Sequence, residues 1–401
     1  MTSFLQLILL ISILLIATKL AGYVISLFGQ PTVLGELLIG LILGPSLLDI
    51  LHLPFFEDHS LAETVHHLAE MGVLLLMFVA GLELHLSELA RNTKVSALAG
   101  IFGVVFPIGM GYGVGLLFAF EPAAAIFLGL TLGATSVSIS AQTLMEMKVL
   151  RSRVGLGLLG AAVFDDILVI LFLSAFLALA DGSGGVGDVI WIFVRMLIFL
   201  AISVGFGLWG LPRLTRKISH LPISQGVLTL AVVVLFLYGI AAEVVGGMAA
   251  ITGAFLAGLM FARSPEKERI ERGVSALSYG FFVPLFFVNI GLSVNARQLE
   301  VGVLWLLIAL TLVAILGKWV GAGLGARWAG FTWKESAQLG AGMISRGEVG
   351  LILASVGMSQ NLVSESEFSA IIGMVLISTL VTPPLLRMLF AEPKPSPVTQ
   401  Q

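Results

Sequence analysis

The sequence contains no cysteine and few charged residues, and both shortages narrow the classes of protein to which it can belong. Without cysteine there are no disulfide bonds, no thiol catalysis and no thiolate metal sites. Charged residues make up only 11% of the 401 residues, whereas a typical soluble protein carries about 25%. So few charges do not cover a surface that faces water, and we expect a membrane protein.

Apolar sequence fills the chain instead, with 58% hydrophobic residues and a mean hydropathy of +1.06. A helix needs about 20 residues to cross a bilayer, so a dozen or so crossings use nearly the whole length. No length remains for a soluble catalytic domain, and no basic run suggests a nucleic-acid partner. The first apolar stretch lacks a basic segment before it and a small-residue cleavage site after it, so we interpret it as a span and not a signal peptide.

Hydrophobic runs between charged, proline or glycine-rich breaks predict thirteen membrane-spanning helices, numbered here as spans 1 to 13. Their approximate ranges are 3–19, 32–50, 65–84, 95–118, 123–146, 154–179, 188–212, 223–243, 246–262, 275–293, 302–326, 336–358 and 366–388.

Lysine and arginine support this count, because they fall almost entirely on one side of the predicted membrane. The loops after odd-numbered spans and the C-terminal tail hold 17 of the 21 basic residues, whereas the loops after even-numbered spans hold one, Arg297. By the positive-inside rule we expect the N-terminus outside and the C-terminus in the cytoplasm. We expect an integral protein of a prokaryotic inner membrane.

Two weak internal matches indicate a repeat. Span 2 contains Gly35-Glu-Leu-Leu-Ile-Gly40-Leu, and span 9 contains Gly253-Ala-Phe-Leu-Ala-Gly258-Leu in the same register. Span 3 ends in Phe-Val-Ala-Gly81-Leu, and span 10 carries the similar Phe-Val-Asn-Ile-Gly291-Leu. Both matches lie seven spans apart, which is an odd number, so the copies cross the membrane in opposite directions. We therefore predict two inverted six-span halves, with span 7 as a linker.

Four ionisable residues lie deep within predicted spans: Asp165 and Asp166 in span 6, Lys318 in span 11 and Arg346 in span 12, with Glu348 beside the last. A charge at the bilayer centre costs about 2.5–3.5 kcal/mol, so such residues generally face a polar cavity and pair with one another.

Adjacent residues on a helix point about 100° apart, so Asp165 and Asp166 do not face one small ligand equally. We expect one aspartate to meet Lys318 and the other to face an aqueous funnel. A purely structural ion pair would account for Lys318 and one aspartate, and would leave the second aspartate unexplained.

Poor helix formers interrupt spans 5 and 12 at matching positions. Span 5 reads Gly133-Ala-Thr-Ser-Val-Ser-Ile-Ser140, and span 12 reads Gly340-Ala-Gly-Met-Ile-Ser-Arg-Gly-Glu348. Interrupted helices at matching positions of two halves point to a transport site. Free carbonyls and hydroxyls suit a small hard cation, while half-helix termini place partial charges beside it. Close helix packing is the alternative role for such small residues.

These segments resemble the membrane domain of the monovalent cation:proton antiporters of the Kef/NapA type. The resemblance extends from Gln30-Pro-Thr-Val-Leu-Gly-Glu through Phe78-Val-Ala-Gly-Leu-Glu83 and Phe164-Asp-Asp166 to Ser345-Arg-Gly-Glu348. The Kef branch has Gln-Asp where this chain has Asp165-Asp166, so the chain is more similar to the electrogenic sodium/proton branch. The resemblance implies an all-α polytopic membrane protein of about 13 transmembrane helices, with two inverted six-helix repeats and crossed broken helices.

The same resemblance implies roles for individual residues. Asp166 is the main carrier of cation and proton, and Asp165 forms a breakable pair with Lys318. Thr135 and Ser136 supply ligands, with Asp166 and Thr135 expected on Na+ itself. Support for the broken helices is expected from Ser138, Ser345, Arg346 and Glu348. No cofactor is expected.

The resemblance also implies a division of the chain and a homodimer in the lipid bilayer. Residues 1–94 and 222–300 are expected to form a scaffold with the dimer contact. Residues 95–182 and 301–390 are expected to form a moving core, with broken helices 5 and 12. Residues 183–221 are expected to form a linker helix, and 391–401 a cytoplasmic tail.

The sequence thus favours a transporter that exchanges Na+ or Li+ for H+ by alternating access, electrogenically, with a role in pH homeostasis. A K+/H+ antiporter of the Kef type and an ion-coupled carrier of an organic anion remain alternatives. An intramembrane aspartyl protease is disfavoured, because adjacent aspartates on one helix do not meet face to face around a water. A passive channel is disfavoured by the fixed charges and by the lack of a ring-like filter motif.

Overall fold

The computed structural model describes most of the chain, and all structural statements refer to these residues. They are 2–56, 60–83, 92–180, 186–293, 303–346 and 362–391, together with 295, 297, 350, 353, 354, 357, 358 and 360.

The described chain folds into helices joined by short connections, labelled here in chain order. They are α1 (Ser3–Leu27), α2 (Thr32–Leu43), α3 (Leu61–Leu82), α4 (Thr93–Leu117), α5 (Pro122–Gly133), α6 (Val137–Glu146), α7 (Arg153–Ala180), α8 (Val186–Gly205), α9 (Leu211–Ser219), α10 (Gly226–Ala241), α11 (Ala250–Phe261), α12 (Lys267–Leu277), α13 (Val283–Leu292), α14 (Leu304–Trp328), α15 (Trp333–Gly342) and α16 (Glu365–Phe390).

Three π-helical turns extend or join these helices without ending them. Phe206–Gly210 joins α8 to α9, Ala242–Gly246 extends α10, and Ser278–Phe282 joins α12 to α13. A π turn keeps backbone hydrogen bonds inside the segment, so each joined pair still serves as one crossing.

The membrane character is confirmed by length and composition. Among the described residues, ten helical segments are long and apolar enough to cross a bilayer, and α2 and α11 are shorter apolar helices. Together they account for all predicted spans except span 12, which begins as α15 and continues largely outside the described residues. The prediction of an all-α membrane protein is therefore confirmed, and the described residues account for twelve of the thirteen predicted spans.

Several predicted boundaries are wrong. The helix of span 7 continues to Ser219, past the predicted end at 212, and that of span 10 begins at Lys267, ahead of the predicted start at 275. Span 1 was expected to end at Lys19, whereas α1 continues to Leu27. Lys19 therefore lies within the helix, where its Nζ donates to the Tyr279 carbonyl oxygen at 2.9 Å. Span 2 was expected to reach residue 50, whereas α2 ends at Leu43, because Gly44 adopts an extended conformation ahead of Pro45.

The helices pack in two groups. Group I comprises α1–α3 and α10–α13, in which α3 packs on α11 and α2 packs on α13. Group II comprises α4–α7 and α14–α16, in which α4 packs on α5, α7 and α14. Helix α8 contacts α7 of group II and α11 of group I, and α6 contacts α2 and α3 across the boundary between the groups.

Glycines of the repeated motif lie at the tightest helix contacts. A Cβ on Gly40 of α2 would collide with the carbonyl oxygen of Val288 in α13, and a Cβ on Gly258 of α11 would collide with that of Phe78 in α3. Gly40 and Gly258 are equivalent in the first sequence match, and α3 and α13 carry the second. The contact of α2 with α13 is therefore equivalent to the contact of α11 with α3. The same contact occurs twice with the roles of the two halves exchanged, as inverted repeats require.

Candidate ion-binding site

The predicted break in span 5 lies at residues 134–136, between α5 and α6. Ala134 and Ser136 have extended backbones, with ψ of 151° and 111°. Thr135 and Ser136 are poor helix formers, because their hydroxyls and the branched Cβ of threonine favour other conformations. The break leaves carbonyls at the end of α5 and N–H groups at the start of α6 without partners inside their own helices.

The break in span 12 follows Gly342, and residues 343–346 continue without helical structure. This segment crosses the break in span 5. The Ser136 N–H donates to the Ser345 carbonyl oxygen at 2.9 Å, and the Ser140 hydroxyl donates to the Gly342 carbonyl oxygen at 2.5 Å. The crossed arrangement of broken helices that the resemblance implies is therefore present.

Arg346 is fully buried where the breaks cross. Its Nη1 donates to the carbonyl oxygen of Ala134 at 2.6 Å, and its Nη2 donates to that of Ala314 at 3.0 Å. Ala134 follows the last residue of α5, so the guanidinium lies at the negative end of that helix dipole. Glu348, expected beside Arg346 as support for the broken helix, lies outside the described residues.

Asp165 of α7 and Lys318 of α14 form an ion pair, and both side chains are completely buried. Lys318 Nζ donates to Asp165 Oδ1. The other carboxylate oxygen, Oδ2, has no hydrogen-bond partner among the described residues, and the same holds for the hydroxyls of Thr135 and Ser345. Thr135 lies close enough to Asp165 for its hydroxyl to interact with that carboxylate. Thr135, Asp165 and Ser345 thus offer buried oxygens with few partners at this crossing, which makes it a candidate ligand site.

Asp166 faces a different environment from its neighbour. Its side chain is partly exposed, and it lines a small cavity whose other walls include Met77, Val137 and Phe255. Its Oδ2 accepts a hydrogen bond of 2.7 Å from the hydroxyl of Thr252 in α11. The cavity therefore lies where group II, which carries Asp166, meets α3 and α11 of group I.

The remaining predicted site residues lie at the span 5 break. Ser136 and Ser138 are buried, and their hydroxyls lie 2.9 Å apart. The structure thus brings together Thr135, Ser136, Ser345, Arg346, Asp165 and Lys318 around one crossing, with Asp166 on the adjoining cavity.

Sequence reasoning missed Thr252 and Glu146. Glu146 ends α6, and its carboxylate accepts from the N–H and the hydroxyl of Thr32, each at 2.6 Å, across the boundary between the helix groups. Thr252 immediately precedes Gly253, so it matches Leu34 in the repeat. A polar residue where the other half has leucine is the signal that could have found it.

Residues 10–392 match the model of the family described as "Sodium/hydrogen exchanger, transmembrane". The chain belongs to this family. It is 40% identical over 95% of both chains to the Na(+)/H(+)-K(+) antiporter GerN of Bacillus cereus. It is also 35% identical to a Na(+)/H(+) antiporter of Enterococcus hirae, over 94% of this chain and 96% of that one.

The fold matches a solved structure of the sodium proton antiporter MjNhaP1 from Methanocaldococcus jannaschii. The TM-score is 0.69, the identity is 18%, and the match covers 97% of this chain and 98% of the other. At that identity the likeness bears on the fold alone. Family membership makes this exchanger an integral membrane transporter and not an enzyme, so the intramembrane protease is set aside.

Proposed function

We propose that this protein exchanges Na+ or Li+ for H+ across the membrane by alternating access, with Asp166 carrying either the cation or the proton. The observation that carries the proposal is the position of Asp166. It lies within a membrane helix, is partly exposed in a cavity, and adjoins the crossing of two broken helices. A carboxylate there holds one positive charge at a time, so cation and proton compete and exchange becomes obligatory.

The unpaired oxygens at the crossing support a cation site beside Asp166. The Thr135 hydroxyl and Asp165 Oδ2 are buried near each other, and among the described residues neither makes a hydrogen bond to any other group. Oxygen ligands of this kind suit a small hard cation, and a bound ion would satisfy atoms that are otherwise costly to bury. Thr135 and Asp166 are the residues that we expect to bind Na+, with Ser136 supporting them.

The ion pair between Asp165 and Lys318 suggests how the cycle moves net charge. Lys318 Nζ donates a hydrogen bond to Asp165 Oδ1. A cation that recruits Asp165 would break this pair, and Lys318 could then release its proton. Two protons would leave for each cation bound, so exchange would be electrogenic. Measurement of proton flux with the membrane potential clamped and unclamped tests this step.

The two helix groups suggest which parts move. Group I would form the scaffold and the contact of a homodimer, and group II would form the core that carries the site past it. The dimer is tested by native mass spectrometry of the purified protein. In this scheme the N-terminus lies outside and the C-terminus in the cytoplasm, which labelling of single introduced cysteines in intact cells tests directly.

Replacement Asp166→Asn tests the central role. In proteoliposomes we expect Na+-driven proton flux to be abolished, because an amide neither ionises nor exchanges a proton at working pH. Asp49→Asn is the matched control, since Asp49 lies outside the site at a left-handed position (φ 51°) that asparagine tolerates. Normal exchange by Asp166→Asn would refute the proposal.

K+ is a second candidate cation, because the Bacillus cereus relative is named for both Na+ and K+. Addition of Na+, Li+ or K+ separately to sealed vesicles distinguishes the cations by the proton flux that each produces. The same assay tests the organic-anion alternative, since a Na+ gradient moves protons in an exchanger with no organic solute present.

A further inference from the structure

The hydrogen bond between Thr252 and Asp166 crosses the boundary between the two helix groups. Thr252 lies in the first turn of α11 and is 3% exposed. Its hydroxyl donates to Asp166 Oδ2 at 2.7 Å. The donor belongs to group I and the acceptor to group II, so any movement of the core past the scaffold must break this contact.

Helix α11 holds the Thr252 hydroxyl on a rigid support. A Cβ on Gly253 would collide with the carbonyl oxygen of Tyr238 in α10, and a Cβ on Gly258 would collide with that of Phe78 in α3. Helices that approach this closely do not slide independently, because each packed side chain resists displacement. Thr252 therefore keeps its position relative to group I.

The strength of this hydrogen bond depends on the charge of Asp166. A hydrogen bond to an ionised carboxylate is roughly twice as strong as one between neutral groups. The contact is strongest when Asp166 is ionised and empty. It weakens when a proton or a cation neutralises the carboxylate.

Helix packing alone does not require a hydroxyl at this position. Gly253 matches Gly35 in the repeat, so the position of Thr252 is filled by Leu34 in the other half. The other residues that line the cavity, among them Ile251, Leu159 and Phe255, are apolar. The Thr252 hydroxyl therefore acts through its hydrogen bond to the Asp166 carboxylate.

We propose that Thr252 is a positioning residue that holds the empty, ionised Asp166 against α11 and so prevents the unloaded core from crossing the membrane. The inference rests on the proposed exchange at Asp166 and explains how exchange stays coupled. A transporter whose empty site crosses would let Na+ leak without proton movement. Thr252 makes the empty core the form most firmly attached to the scaffold.

Thr252→Val tests the role, because valine has nearly the shape of threonine and lacks the hydroxyl. In proteoliposomes at high pH, with 22Na+ inside and no cation outside, the unmodified protein should release Na+ slowly. We expect Thr252→Val to release it about tenfold faster or more, as the loss of one charge-assisted hydrogen bond predicts. The apparent KM for Na+ in exchange should fall, since the ion no longer displaces the hydroxyl.

Two further variants complete the test. Thr252→Ser restores a hydroxyl and should restore both values. Thr229→Val removes an exposed hydroxyl of the neighbouring helix α10, which donates to the Gln225 carbonyl oxygen. This variant should change neither the leak nor the KM.

The outcomes separate this inference from the proposed exchange. If the unmodified protein exchanges Na+ for H+ but Thr252→Val shows unchanged leak and KM, the inference is wrong and the exchange stands. A rise in KM for Thr252→Val would mean that Thr252 binds the ion directly, which also overturns it. Loss of exchange in the serine variant would do the same, because a hydroxyl is present. Absence of exchange in the unmodified protein would overturn the proposed function first.

Discussion

Asp165 and Asp166 are neighbours in the sequence, yet their side chains lie in two different regions of the molecule. Asp165 is completely buried and paired with Lys318, whereas Asp166 is partly exposed and contacts Thr252 at the boundary between the helix groups. Adjacent residues of a helix point about 100° apart. This rotation directs Asp165 toward the buried Lys318 and Asp166 toward the cavity. One helix turn thus holds a fully buried, paired carboxylate next to a partly exposed one that borders a cavity.

Removal of Lys318 should have the largest effect on stability. Lys318→Ala leaves Asp165 as a buried charge without its partner, which typically costs about 3–5 kcal/mol. Thermal unfolding of the purified protein in detergent measures the loss. The double variant Asp165→Leu with Lys318→Met removes both charges and should recover most of the stability. Equal loss in the single and double variants would contradict the assignment of the pair as the source of the effect.

Removal of Arg346 should have an intermediate effect. Arg346→Met leaves the buried carbonyl oxygens of Ala134 and Ala314 without this donor, and we expect a loss of about 1–3 kcal/mol. Arg213→Met is the matched control, because Arg213 also donates to a backbone carbonyl, that of Trp209, but is exposed. The control should lose less than about 0.5 kcal/mol. Similar unfolding temperatures for the two variants would show that Arg346 does not hold the crossing together.

Asp166→Asn should have the smallest effect on stability, although we expect it to abolish exchange. Asparagine can accept the same hydrogen bond from Thr252, and the partly exposed site leaves no charge stranded. We expect a change of less than about 1 kcal/mol in the same unfolding assay. A loss of stability as large as that of Lys318→Ala would contradict the different environments assigned to the two aspartates.

Much of this arrangement could be predicted from the sequence, because charges and helix breakers stand out in apolar segments. The burial cost of a charge indicated that Lys318 would find an aspartate, and the structure places it on Asp165. The serine-rich and glycine-rich interruptions of spans 5 and 12 gave both breaks, since such residues are poor helix formers in any surroundings. The roles that we assign to these residues in transport stay predictions.

Thr252 could not be predicted in the same way. Threonine is common in membrane helices and does not alter hydropathy enough to stand out. Its hydroxyl contacts Asp166, which lies 86 positions earlier in the chain, and only the folded chain brings the two residues together. The end of α1 was missed for a related reason. Lys19 suggested a loop, whereas tertiary contact with the Tyr279 carbonyl oxygen accommodates the charge inside the helix.

Dependence of the apparent KM for Na+ on pH tests the competition at Asp166 most directly. Initial rates of 22Na+ uptake into proteoliposomes, measured over a series of pH values, give KM and maximal rate separately. If one proton competes with Na+ for the carboxylate, KM should rise by about tenfold for each unit of acidification below the pKa of the site, while the maximal rate is preserved. A KM that stays constant while the maximal rate falls would contradict a shared site.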